Sequence, residues 1–166
     1  METVKEFKLD KSKEKMWKFM PSKYPVGKDM ELFDWLNSKG RNFLEPKDKI
    51  EAVKYLNNTI RNDPNASGLG ITFDHRFEIQ PKAIFVTIDD RGNRNLGIVE
   101  ISTNAIGLKD VGILHAYAKM VEPKYALLLC EKSYSKELTY LLTDPNIGPR
   151  LMEYAGGRRL QLMEFN

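Results

Sequence analysis

The chain is poor in cysteine, histidine and long apolar runs, and each scarcity excludes something. The single cysteine, Cys130, cannot close an internal disulfide. It ends an apolar run between Leu129 and Glu131, so it is expected to pack in a core kept in a reducing, cytoplasmic setting. The two histidines, His75 and His115, have no ligand spacing to each other or to Cys130, which argues against a zinc site. The longest apolar run, Tyr125 to Cys130, falls far short of the roughly 20 residues that cross a bilayer, so no membrane contact is expected. The opening Met-Glu-Thr-Val-Lys is followed by no apolar stretch, and no secretion signal is expected. No glycine-rich phosphate loop and no nucleophile triad is found; Gly68-Leu69-Gly70 is too short and precedes a predicted strand.

What is present describes a folded domain. Of 166 residues, 42% are hydrophobic and 30% charged, a globular balance over a length sufficient for a core without metals or disulfides. The net charge of +3 is unevenly placed. Residues 1–30 hold eight lysines against five acidic residues, a surplus of three, and the other 136 residues balance at 18 of each sign. Residues 1–28 are therefore expected to form a basic arm able to touch phosphates, with residues 29–166 as a single α/β domain.

The apolar pattern predicts the elements. Met30–Lys39 reads as a short helix with Leu32, Phe33, Trp35 and Leu36 facing inward. Pro46 then opens a second predicted helix over 47–61, with Ile50, Val53, Tyr55, Leu56 and Ile60 as its stripe. Ile71 to Ile79 alternate with polar residues as a half-buried strand. Ala83–Ile88 and Leu96–Thr103 follow, separated by the turn Asp89 to Asn95, and the three strands are expected as an antiparallel meander. Asp110–Val121 is a helix stopped by Pro123, and Tyr125–Cys130 reads as a strand covered on both faces. A strand, a helix and a strand in that order predict a parallel crossover pair. Ser135–Leu142 is a further helix, 150–154 a short helical turn ending at Gly156-Gly157, and Leu160 and Leu162 mark a closing edge strand.

Within this order, Gln80-Pro81-Lys82-Ala83, the hairpin, and Gly97-Ile98-Val99-Glu100-Ile101-Ser102-Thr103 resemble the core of the PD-(D/E)xK nuclease superfamily. Ile113 to Ala118 resembles the helix that carries a Gln-x-x-x-Tyr motif in its RecB-type members. The resemblance covers about 85 residues, roughly 47–131. It implies an αβββαβ restriction-endonuclease-like core, with a mixed central sheet and helices on both faces. In the family an Asp opening the second strand and a Glu in the third hold a divalent metal through oxygen ligands. A Lys two residues after the Glu activates water or stabilises charge on the phosphorane. Here Lys82 stands at the Asp position, Ser102 at the Lys position and Ile113 at the Gln position. Glu100 and Tyr117 match. The resemblance therefore implies a degenerate active site.

A hairpin symmetric about Gly92 would bring Lys82, Glu100 and Ser102 onto one sheet face, where Lys82 compensates Glu100 without metal. These three are the catalytic candidates if any exist. The favoured reading is a nucleic-acid-associated protein, DNA- or RNA-binding without standard metal-dependent cleavage, with no cofactor. Its phosphate contacts would come from Lys82, Arg91, Arg94, His115, Lys119, Arg158 and Arg159. The first alternative is a magnesium- or manganese-dependent nuclease in which Glu100 is joined by Asp74 or Glu78, with Glu51 a further candidate. The second is an interaction or scaffold protein, acting as a homodimer or through a protein partner. Asp89-Asp90, followed by Arg-Gly-Asn, reads as turn chemistry and not as a catalytic carboxylate pair.

Overall fold

The computed structural model describes residues 28–69 and 78–165. Helix α1, Lys28–Asn37, carries Asp29 and Glu31 in its first turn, where the positive end of the helix dipole favours them. It buries Leu32, Phe33, Trp35 and Leu36. A 3-10 turn, Lys39–Phe43, follows and packs Gly40 under the Trp35 ring. A Cβ at Gly40 would fall 2.5 Å from a ring carbon, so this close approach requires glycine.

Strand β1 runs Lys49–Tyr55 and corrects the helix expected over 47–61. Ile50, Val53 and Leu56 do recur at helical steps, but Ile50 to Lys54 are all buried. A strand with both faces covered shows no alternation, so period alone cannot separate it from a helix. β-Branched Ile50 and Val53 suit the pleat, and long-range pairing decides the outcome. β1 pairs antiparallel with β2, Ala83–Ile88, from Lys49 opposite Ile88 to Tyr55 opposite Ala83. The register slips between Ile50 and Ala52, a bulge that takes Glu51 out of the ladder. Between the strands, Asp63 ties down the loop. Its Oδ2 accepts from Asn57 and Asn58 backbone N–H groups at 2.6 and 3.0 Å, and its Oδ1 accepts from Asn65 N–H at the start of the short helix α2, Pro64–Ser67. The strand expected at Ile71–Ile79 lies outside the described residues except at its last two positions, where Glu78 and Ile79 have no regular structure.

Strand β3 is Arg94–Ser102, helix α3 Leu108–Val121 and strand β4 Tyr125–Cys130. β3 and β4 are parallel, Gly97 opposite Tyr125 through Ser102 opposite Cys130, as the apolar run after a helix-length connection predicts. α3 is entered by an Asp110 carboxylate that accepts from Gly107 N–H at 2.9 Å. It ends at Glu122, which adopts a left-handed φ of 45° before Pro123. Val111, Leu114 and Ala118 form its buried stripe. Every residue of β4 is buried; each of Leu127, Leu128 and Leu129 contributes about 1.5–3 kcal/mol on removal from water.

Helices α4, Lys136–Thr143, and α5, Ile147–Met152, lead into strand β5, Glu153–Ala155. The short helix expected at 150–154 is thus displaced upstream, and Tyr154 sits in a strand. Gly156-Gly157, with Gly157 at φ 75°, closes a tight hairpin to β6, Arg158–Arg159. β7, Gln161–Glu164, lies parallel to β4 on its other edge. The fold is mixed α/β. A five-stranded mixed sheet has the order β1-β2-β3-β4-β7, and β5-β6 form a separate two-stranded sheet. The chain divides into two compact units at Asn95/Leu96. No helix among the described residues is long and apolar enough to cross a membrane.

Candidate functional site

In the first unit, charge is concentrated on β1 inside apolar surroundings. Lys54 is buried, with its Nζ 3.9 Å from Asp29 Oδ2 of α1. The other Asp29 oxygen accepts from Tyr55 N–H at 2.8 Å. Burial pushes the Asp29 carboxyl above its usual pKa, against the opposing pull of the Tyr55 N–H and of Lys54. Burial likewise pushes the Lys54 ammonium down, with Asp29 opposing. Both shifts have one cause: lost hydration outweighs mutual attraction.

Glu51, set free of the ladder by the bulge, has a side chain only 2% exposed and meets Arg94 Nε at 3.1 Å. The Arg94 Nη2 donates to the Leu69 carbonyl. Arg94, expected among the phosphate contacts, is thus engaged in a partly buried ion pair, and Glu51, expected as a possible metal ligand, is compensated by it. Neither pair is evident from the sequence. The available signal was two charges, Glu51 and Lys54, inside the otherwise apolar stretch Ile50 to Leu56.

The remaining expected residues separate by unit. Lys82 is exposed just ahead of β2, and its carbonyl accepts from Leu56 N–H at 3.1 Å. Arg91 is exposed in the turn that Asp89 organises, where Asp89 Oδ1 accepts from Arg91 and Asn93 N–H groups at 2.9 and 2.8 Å. Asp89 therefore does the turn work read from the sequence, and these bonds hold its carboxyl below the usual range although its limited burial acts the other way. Asp74 lies outside the described residues. Glu78 is exposed and stands 3.8 Å from Arg61.

In the second unit, Glu100 is half-buried in β3 opposite Leu128, and Ser102 Oγ donates to the Asn104 carbonyl at 3.1 Å. His115 Nε2 donates to the Glu153 carbonyl at 2.8 Å, which binds α3 to β5 and occupies the ring nitrogen nearest to it. Arg158 Nη1 donates to the carbonyls of Glu122 and Pro123 at 2.9 and 3.2 Å, capping the end of α3. The buried Tyr154 hydroxyl reaches the same corner and donates to the Pro123 carbonyl at 2.8 Å. Burial pushes its pKa up to about 12. His115 and Arg158, both expected among the phosphate contacts, hold backbone carbonyls here. Lys119 and Arg159 are exposed. Cys130 is buried, and burial together with Glu164 raises its thiol pKa, so it is held as a thiol and not as a nucleophilic thiolate. Tyr117 is half-buried on α3 and Ile113 is exposed there.

Among the described residues, no group of three or more His, Cys, Asp or Glu side chains is arranged to hold a metal ion. No family model, curated protein or solved structure matches the chain.

Proposed function

We propose that the chain is a nucleic-acid-associated protein on a nuclease-like scaffold, binding DNA or RNA phosphates without metal-dependent cleavage. The observation that carries this reading is the state of the buried carboxylates near β1. Glu51 is matched by Arg94 and Asp29 by Lys54, so neither carboxylate is left uncompensated to draw a metal ion. Support for the scaffold comes from the order α1, β1, β2, β3, α3, β4, with β1 and β2 antiparallel and β3 and β4 parallel. With the short α2 between β1 and β2 set aside, this sequence of elements is compatible with the αβββαβ order that the resemblance implies, its first helix at Lys28–Asn37 in place of 47–61 and its first strand at Lys49–Tyr55 in place of 71–79. Exposed cations remain for phosphate: Lys49 and Arg91 in the first unit, Lys109 and Lys119 in the second. The lysine-rich residues before Lys28 add to them.

The test is fluorescence anisotropy with labelled DNA and RNA over a salt series, beside a cleavage assay with magnesium or manganese. Affinity should fall with salt at a log–log slope of about −0.7 to −0.9 per phosphate contact. Arg91→Gln with Lys119→Gln should flatten that slope by up to about two units. No cleavage is expected, and Glu100→Gln should bind as the natural chain does. Reproducible metal-dependent cleavage that Glu100→Gln abolishes would establish the nuclease reading in its place. Absence of salt-dependent binding would leave the scaffold reading.

A further inference from the structure

The second unit contains a cavity of about 510 Å³ at the corner of α4, α5 and β7, within the range of small-molecule sites, about 300–1,000 Å³. Its apolar lining includes Leu142, Met152 and Leu160. Its walls are tied by local hydrogen bonds. Asp144 Oδ1 accepts from the Asn146 and Ile147 N–H groups at 2.8 and 3.1 Å, and its carbonyl accepts from Gly148 N–H at 2.9 Å. Gly148 sits so close to the Leu142 carbonyl that a Cβ would lie 2.7 Å from it. Leu160 N–H donates to the Met152 carbonyl at 2.8 Å and fixes the opposite wall.

Three polar side chains share this cavity: Asp144, Arg159 and Gln161. The guanidinium of Arg159 is exposed and makes no hydrogen bond or ion pair among the described residues. Asp144 keeps its second carboxylate oxygen outside the turn bonds. The two opposite charges line one cavity without bridging each other. A simple anion would meet Arg159 and be repelled by Asp144, and a cation the reverse. A ligand carrying both charges on groups that share one carbon, with an apolar branch for the apolar lining, matches both charges.

We propose that this cavity binds a free α-amino acid with an aliphatic side chain. Its carboxylate meets Arg159, its ammonium meets Asp144, and its side chain lies on Leu142, Met152 and Leu160. Gln161 offers a further donor and acceptor at the rim. The site shares Arg159 with the phosphate contacts expected from the sequence, and its test needs no nucleic acid.

The experiment is a titration of the full chain, followed by amide NMR shifts of residues 142–161. The probes are leucine, leucinamide, 4-methylpentanoate and glycine, which remove in turn the carboxylate, the ammonium and the side chain. Leucine should saturate at or below about 10 mM. Each truncated probe should bind roughly tenfold more weakly or worse. Arg159→Gln should weaken leucine by a similar factor and leave leucinamide unchanged. That distinguishes lost recognition from lost fold, as does Asp144→Asn, which keeps an oxygen for the turn. Failure of leucine to saturate would overturn the proposal. So would equal binding of 4-methylpentanoate and leucine, or leucine affinity indifferent to Arg159→Gln.

Discussion

Replacing Arg94 by Met removes the cation from Glu51 while keeping most of the side-chain bulk. Glu51 is 2% exposed and Arg94 24% exposed. Stranding a buried charge by deleting its partner destabilises by about 3–5 kcal/mol. The partly open Arg94 side lets water reach the site and lowers the expected loss to about 2–3 kcal/mol. Glu51→Gln is milder, about 1 kcal/mol, because its amide oxygen still accepts from Nε and the remaining guanidinium touches solvent. The double variant Glu51→Leu with Arg94→Met exchanges the pair for apolar contact and should return to within about 1 kcal/mol of the natural chain. Urea unfolding at neutral pH, read by tryptophan fluorescence at constant m, gives all three values. The predicted order is Arg94→Met least stable, Glu51→Gln intermediate and the double variant close to natural. A double variant less stable than Arg94→Met would refute the reasoning. So would an Arg94→Met loss under about 0.5 kcal/mol, the level of an ordinary surface change.

Two further perturbations test the second unit. Tyr154→Phe should lose about 1–2 kcal/mol at pH 8 through the missing bond to the Pro123 carbonyl. The folded Tyr154 keeps its proton up to about pH 12 while the unfolded residue ionises near 10.0, so its contribution is complete below pH 10 and is lost as pH rises towards 12. Urea melts at pH 8 and 11.5 should therefore show the gap between natural chain and variant shrinking, and a gap that widens contradicts the buried hydroxyl. Gly148→Ala drives a methyl against the Leu142 carbonyl and should lower stability by about 1–3 kcal/mol, whereas Gly156→Ala, with open space at the same position, should be nearly silent by thermal melting.

What the sequence reveals divides along the distance over which each element is decided. β4 is legible because a continuous apolar run needs no partner to be recognised, and α3 because its stripe repeats at 3.6 and Pro123 stops it. β1 is not legible. Its identity rests on pairing with a distant β2, from Lys49 opposite Ile88 to Tyr55 opposite Ala83, and its burial on both faces erases the alternation that marks a strand. The same non-local pairing hides the charge map. Arg94 reads as a free cation beside a turn, and its partner Glu51 lies 43 residues away. His115 and Arg158 read as surface charges, because the backbone carbonyls they hold carry no mark in the sequence.

The complete burial of β4 has a consequence beyond the folded state. Tyr-Ala-Leu-Leu-Leu-Cys is wholly apolar, with no charge and no proline, features of segments that stack into cross-β assemblies once exposed. In the fold, β3 occupies one edge of this segment and β7 the other, so no backbone edge from Leu127 to Cys130 is open to a second molecule. β7 is short, at four residues, and only half-buried, and its release would uncover that edge before the rest of the sheet comes apart. Heating is then expected to end in aggregates and not in a reversible transition, and the guarding of one hydrophobic strand sets the conditions under which the protein can be handled.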